Sequence, residues 1–360
     1  MRGAHILASG LAPPSQRAKA HYRPAQRTLK RDPVSTSPDS PPVATPGPHE
    51  FAFLDQASFL RAARGGDPRT RPFGLAGLCW DGSTTNRPGA RFGPRAIRQA
   101  SHMLCDGIHP HFDRSPAAQL HDFGDLPLPN TSLADMRAQL ARLAPALLAS
   151  HHMVWLGGDH SVTLPLLRAL RAQQGRPLSV IHFDAHCDTW RDHFGEPSGH
   201  GTWVYEAIHE GLVVPQRFVQ LGIRSAGDRA AREYVRTQGG LIYTARELRG
   251  LESPQQLAGV LAQIRARLVT PDAAPVYLSL DIDCLDPAFA PGTGTPEPGG
   301  MTTAQVLTVI EELNDLPFVG MDCVEVAPPF DHAELTASAA AAFVWTYLAG
   351  RVAATEKQAA

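Results

Sequence analysis

The chain has 360 residues, 43% hydrophobic and 19% charged, with a formal net charge of -2 at pH 7. That balance excludes a binder held to nucleic acid by a basic surplus, and the apolar share can build a sizeable core without disulfides or a structural metal. Five cysteines with no CxxC pair exclude a disulfide framework and point to a reducing compartment, expected to be the cytoplasm.

Residues 1–49 are rich in Pro, Ser and Ala, with Pro13-Pro14, Pro41-Pro42 and Pro46-Gly47-Pro48, and are expected to be a disordered extension. Their first 31 residues carry Arg2, Arg17, Lys19, Arg23, Arg27, Lys30 and Arg31 without one acid. That is the composition of a mitochondrial transit peptide, so the matrix is the alternative location, and a dispensable basic tail is the competing reading.

From residue 50 to 360 a single α/β domain is expected. Apolar runs at Leu75–Leu78, Met153–Leu156, Ser179–Phe183, Phe218–Ile223, Leu241–Tyr243, Val276–Leu280 and Val319–Val326 predict buried strands. Helical patterns fall between them at Pro94–Leu104, Ser132–Ala149 with Ser132 as N-cap, Leu164–Gln174, Pro254–Leu268 and Thr303–Asn314. This alternation predicts a mostly parallel central sheet in a three-layer α/β/α sandwich. No run reaches the roughly 18 apolar residues of a membrane span, and Ala337–Ala342 is an alanine stretch. A soluble protein acting on small molecules is expected.

In such sheets ligands gather at the carboxyl ends of the strands. Three predicted strands run directly into Gly157-Gly158-Asp159-His160, Asp184-Ala185-His186-Cys187-Asp188 and Asp281-Ile282-Asp283. Alternate residues of an extended segment share a side, so Asp184, His186 and Asp188, together with Asp281 and Asp283, can converge, with His160 completing the set. Six oxygen or imidazole donors exceed one tetrahedral site, and four aspartates call for two divalent cations. The donor set suits manganese, with nickel, cobalt or iron also compatible. The same alternation turns Cys187 and Cys284 away, as small packing residues.

These segments resemble the signature motifs of the ureohydrolases, the arginase and agmatinase family, in Gly157–Ser161, His182–Thr189 and Ser279–Pro287, with further likeness in Thr85–Arg95, Ala290–Glu297 and Val324–Pro329. The resemblance spans roughly residues 70–350. It implies the arginase-like fold and a binuclear Mn2+ centre, one ion on His160, Asp184, Asp188 and Asp281, the other on Asp184, His186, Asp281 and Asp283. It also implies hydrolysis of a guanidinium group to urea and an amine, and a homotrimer or homohexamer.

Such chemistry needs a nucleophile stronger than water at neutral pH, because guanidinium is a poor electrophile. Asp283 can also stabilise the tetrahedral intermediate. His200, in a glycine-flanked loop, matches the family's proton shuttle. Glu325 matches the carboxylate that orients the substrate guanidinium; the alternative is a structural ion pair with Arg91 or Arg224. His182 alternates with the ligands and reads as a core or supporting residue. The loop Thr189–His200 lacks the Asn- and Ser-rich pattern by which arginases hold an amino-acid head. Agmatine, yielding putrescine and urea, is therefore the first expected substrate, with 4-guanidinobutyrate, 3-guanidinopropionate or guanidine as alternatives. A one-zinc deacetylase-type hydrolase and a non-catalytic binding paralogue complete the field, and the six intact donors speak against both.

Overall fold

The computed structural model describes residues 57–359 apart from 270, 272 and 273, so the expectation for residues 1–49 lies outside the described residues. Eight strands, β1 (Phe73–Gly77), β2 (Leu120–Asp125), β3 (His152–Leu156), β4 (Leu178–Phe183), β5 (Val213–Ile223), β6 (Leu241–Thr244), β7 (Val276–Asp281) and β8 (Phe318–Val324), form one sheet in the order β2-β1-β3-β8-β7-β4-β5-β6. Every pairing between them is parallel.

Strands buried on both faces are apolar nearly throughout, and their alternation sorts side chains into two cores. Val154, Leu156, Ile181, Phe183, Leu278 and Leu280 join one core, while Met153, Trp155, Val180 and Tyr277 join the other. Each such aliphatic or aromatic side chain contributes about 1.5–3 kcal/mol when buried. Helices α1 (Gly93–Ser101), α2 (Leu133–Leu148), α3 (Thr163–Gln174), α4 (Trp203–His209), α5 (Pro254–Leu268), α6 (Thr303–Glu312) and α7 (Leu335–Ala359) supply the outer layers. Residues of α1, α5, α6 and α7 fill the first core, and those of α2, α3 and α4 the second. Ser132 does cap α2, its side chain accepting from the N–H of Asp135.

Three long elements escape the sequence reading: β2, α4 and the 25-residue α7. Alanine gives α7 little periodic contrast, yet Phe343, Val344, Tyr347, Leu348 and Val352 are buried along it. Among the described residues no helix is long and apolar enough to cross a membrane.

The four central strands, β3, β8, β7 and β4, are neighbours in the sheet though distant in sequence. Their carboxyl ends deliver His160, Glu325, the Asp281–Asp283 pair and the Asp184–Asp188 segment to one place.

Candidate metal centre

All six expected donors meet there. His160 Nδ1 lies 3.3 Å from Asp184 Oδ2, 3.3 Å from Asp188 Oδ2 and 3.1 Å from Asp281 Oδ2. His186 Nδ1 lies 3.3 Å from Asp184 Oδ1 and 3.1 Å from Asp283 Oδ2. Asp184 thus belongs to both groups.

Extended alternation does not produce this convergence, which corrects the sequence expectation. Asp188 sits in the left-handed region, with φ of 51°, and Ile282–Cys284 form a turn of 3₁₀ helix. The carboxylates fold back on the chain instead: Asp281 accepts from the N–H of Asp283 at 2.8 Å, and Asp184 from that of His186 at 2.6 Å. Short polar side chains that bond the backbone two residues on favour such turns. Cys187 and Cys284 are fully buried, one in each core.

Residues behind the donors fix their orientation. His160 Nε2–H donates to Ser279 Oγ at 2.8 Å, and that hydroxyl donates to Asp322 at 2.8 Å. Asp322 also accepts from Thr163 and Tyr277. His160 is thereby set with Nδ1 toward three carboxylates. His182 Nε2–H donates to Asp184 at 2.8 Å while its Nδ1 accepts from Gln220 at 3.2 Å, so both its nitrogens are occupied in a supporting role. Trp203 donates to Asp188 and Thr295 to Asp283. Sequence reasoning gave no role to Ser279, although it opens the Ser279–Pro287 motif, and missed Asp322 and Gln220, which lie outside the motifs; the available signal was a polar residue inside each buried strand.

The electrostatics are those of a cage built for cations. Among the described residues no Arg or Lys pairs with Asp184, Asp188, Asp281 or Asp283; their ionic partners are histidines. Burial and the neighbouring Asp184 push Asp188 up to about 8, and burial with Asp283 holds Asp281 well above the carboxylate range. Burial opposes charge on His160, but Asp184 and Asp281 outweigh it and hold the ring well above its ordinary value. Carboxylates crowded around an imidazole nitrogen, with only oxygen and nitrogen donors, fit hard divalent ions.

Beside the cage, His200 Nδ1–H donates to Glu325 Oε1 at 2.9 Å, and the same oxygen accepts the N–H of His160. Glu325 is 1% exposed, with φ of 63°, and its Oε2 is buried with no hydrogen-bond partner. The expected alternative of an ion pair with Arg91 or Arg224 does not occur: Arg91 pairs with Asp81, and Arg224 donates to backbone carbonyls. Burial opposes charge on His200, but Glu325 lifts it to about 9. At the ring's other side Nε2–H faces the Thr85 hydroxyl, its acceptor at 3.1 Å, with the Thr85 backbone nitrogen 3.3 Å away. Gly158 is required here, since a side chain would strike the Trp80 carbonyl at 1.6 Å.

A cavity of about 780 Å3 adjoins these groups, lined by His186, Asp188, His200 and Asp281 together with Trp190, Arg191, Phe194 and Tyr234.

Residues 71–350 match the family model described as the arginase family. An agmatinase of Chromobacterium violaceum is 43% identical over 297 residues, 81% of this chain and 87% of that protein. A guanidinopropionase of Pseudomonas aeruginosa is 41% identical over 306 residues, 82% of this chain and 92% of its own. The solved structure of proclavaminate amidino hydrolase from Streptomyces clavuligerus superposes with a TM-score of 0.76 at 36% identity, covering 84% of this chain and 99% of that one.

Proposed function

Since the chain belongs to the arginase family, we propose that it hydrolyses agmatine to putrescine and urea with two Mn2+ ions. It is an amidinohydrolase; agmatine and manganese are the proposal. The observation that carries it is the cage of six donors with an unpartnered Glu325 oxygen beside it.

His160, Asp184, Asp188 and Asp281 would hold one ion, and Asp184, His186, Asp281 and Asp283 the other. Such a pair supplies a water activated for attack at neutral pH. Glu325 Oε2 receives the guanidinium in a charge-assisted hydrogen bond, which removes the cost of its burial without a partner. His200, held as imidazolium by Glu325, is the proton source for the departing amine; a guanidinium sharing that carboxylate loosens its hold on the proton. Asp283 accepts a hydrogen bond from the tetrahedral stage. Assembly as a homotrimer or homohexamer, and a cytoplasmic location, or a mitochondrial one if residues 1–49 direct it, belong to the same proposal.

Arg191 favours a second reading. It is exposed on the cavity wall, its guanidinium 5.8 Å from the Tyr205 ring centre, and it has no carboxylate partner among the described residues. A carboxylate tail, as in 4-guanidinobutyrate or 3-guanidinopropionate, would pair with it. Urea release from agmatine, both guanidino acids, arginine and guanidine, measured on one manganese-loaded preparation, decides between them. Agmatine is expected to give the highest kcat/KM, and arginine as the best substrate would sink both readings.

A further inference from the structure

A second cavity, of about 270 Å3, lies at the carboxyl edge of β5 and β6. Four guanidinium groups line it, those of Arg224, Arg232, Arg246 and Arg249, against one carboxylate, Glu233, which is already paired with Arg236. Arg246 and Arg249 are exposed and make no ion pair among the described residues. Arg224 spends its N–H groups on carbonyls, among them those of Asp283 at 2.8 Å, Leu285 at 3.0 Å and Glu297 at 2.6 Å, with Asp286 the nearby anion that feels its charge.

One buried group in this space lacks a partner. Ser225, 5% exposed, lines the cavity with a buried hydroxyl that has no partner, and a buried donor left unpaired calls for an explanation. At the rim, Gly300 packs against the backbone of Leu285 and Asp286, which a side chain would strike at 2.5 and 2.4 Å, with the Arg224 guanidinium at 2.6 Å; Gly299, with φ of 83°, faces that of Arg249 at 3.6 Å. Two arginines thus approach one side-chain-free corner.

We propose that this cavity binds a small phosphate group, with Arg246 and Arg249 as charged donors and the Ser225 hydroxyl as the buried one. Planar guanidinium forks match phosphate oxygens in pairs. Because Arg224 ties the cavity floor to the carbonyl of Asp283, an occupant also braces the segment that carries that candidate ligand.

The test is calorimetric titration of the metal-loaded protein with inorganic phosphate, and separately with a phosphate monoester, at fixed ionic strength. One saturable site per chain is expected, weakened about tenfold or more in Arg246→Ala/Arg249→Ala, with turnover in phosphate-free buffer unchanged. Tighter binding of the monoester would identify a phosphorylated ligand, and tighter binding of the free ion phosphate itself. Affinity within about twofold of the parent in the double variant, binding that disappears with the metal ions, or a response that sodium chloride reproduces would overturn the proposal.

Discussion

The two ends of β3 place the same side chain in opposite circumstances. At the amino end His152 is enclosed by Phe73 and Tyr347, its Nε2 2.8 Å from the Tyr347 hydroxyl, although an edge of the residue reaches solvent. Nearby, His109 Nε2 lies 3.1 Å from the Thr346 hydroxyl, with a Glu311 carboxylate oxygen farther off at 3.9 Å. Burial lowers His152 to about 3 and His109 to about 4, with Arg351 and His111 adding to it. Past the carboxyl end, His160 is buried more deeply still, yet carboxylates hold it well above its ordinary value. Burial alone therefore does not set a histidine's charge; the partner does. Burial without a close carboxylate leaves the amino-end histidines neutral structural links, and carboxylates make the carboxyl-end ones half of a cation site. His102 and His151 are structural links of the same kind, each bonded to a backbone carbonyl.

The most severe way to probe that division is to remove one carboxylate from the cage. Asp283→Ala should lower kcat by at least about 10³-fold, with the manganese stoichiometry reduced and the far-UV circular dichroism unchanged. An undiminished rate would refute the ligand assignment. Glu325→Gln keeps the shape but removes the charge that lifts His200 and receives the guanidinium. A fall in kcat/KM of about 10²–10³-fold is expected, together with a His200 imidazole whose NMR titration moves down from about 9. A His200 titration that stays in place would show that Glu325 is not its partner.

These residues also mark how far sequence could see. Asp184, His186, Asp188, Asp281 and Asp283 were legible because each follows an apolar run, and strand ends of a parallel sheet face one crevice. The turn geometry was not, because Asp tolerates a left-handed φ without requiring it, so the residue type at 188 does not fix the turn. The Thr85 contact with His200 spans 115 positions, and the Ser279–Asp322 support of His160 depends on β7 and β8 pairing in register. Likewise α7 hid behind its alanines.

Acid acts on the amino end alone in a predictable direction. His109 and His152 have folded pKa values below the unfolded 6.5, so the unfolded chain binds more protons as pH falls. Their stability contribution is whole above about pH 6.5 and is lost progressively toward pH 4 and 3. Discounted for the solvent each ring meets, the loss is on the order of 2 kcal/mol by pH 5 for the pair. Thermal melts of the parent and of His152→Phe between pH 8 and pH 5 check it: the parent should lose more than the variant. Equal losses would mean that His152 is not the neutral group described.

The smallest effect separates partner from burial. Tyr347→Phe keeps the ring that packs against Phe318 and His152 and deletes only the hydroxyl at 2.8 Å. If the hydroxyl is what satisfies His152, its loss strands a largely enclosed imidazole nitrogen and should cost about 1 kcal/mol in urea unfolding. Turnover should be unchanged, because the substitution lies at the amino end of the sheet and the cage at the other. A variant as stable as the parent would place the whole cost of neutrality in burial, and the contrast between the two ends would then rest on the carboxylates alone.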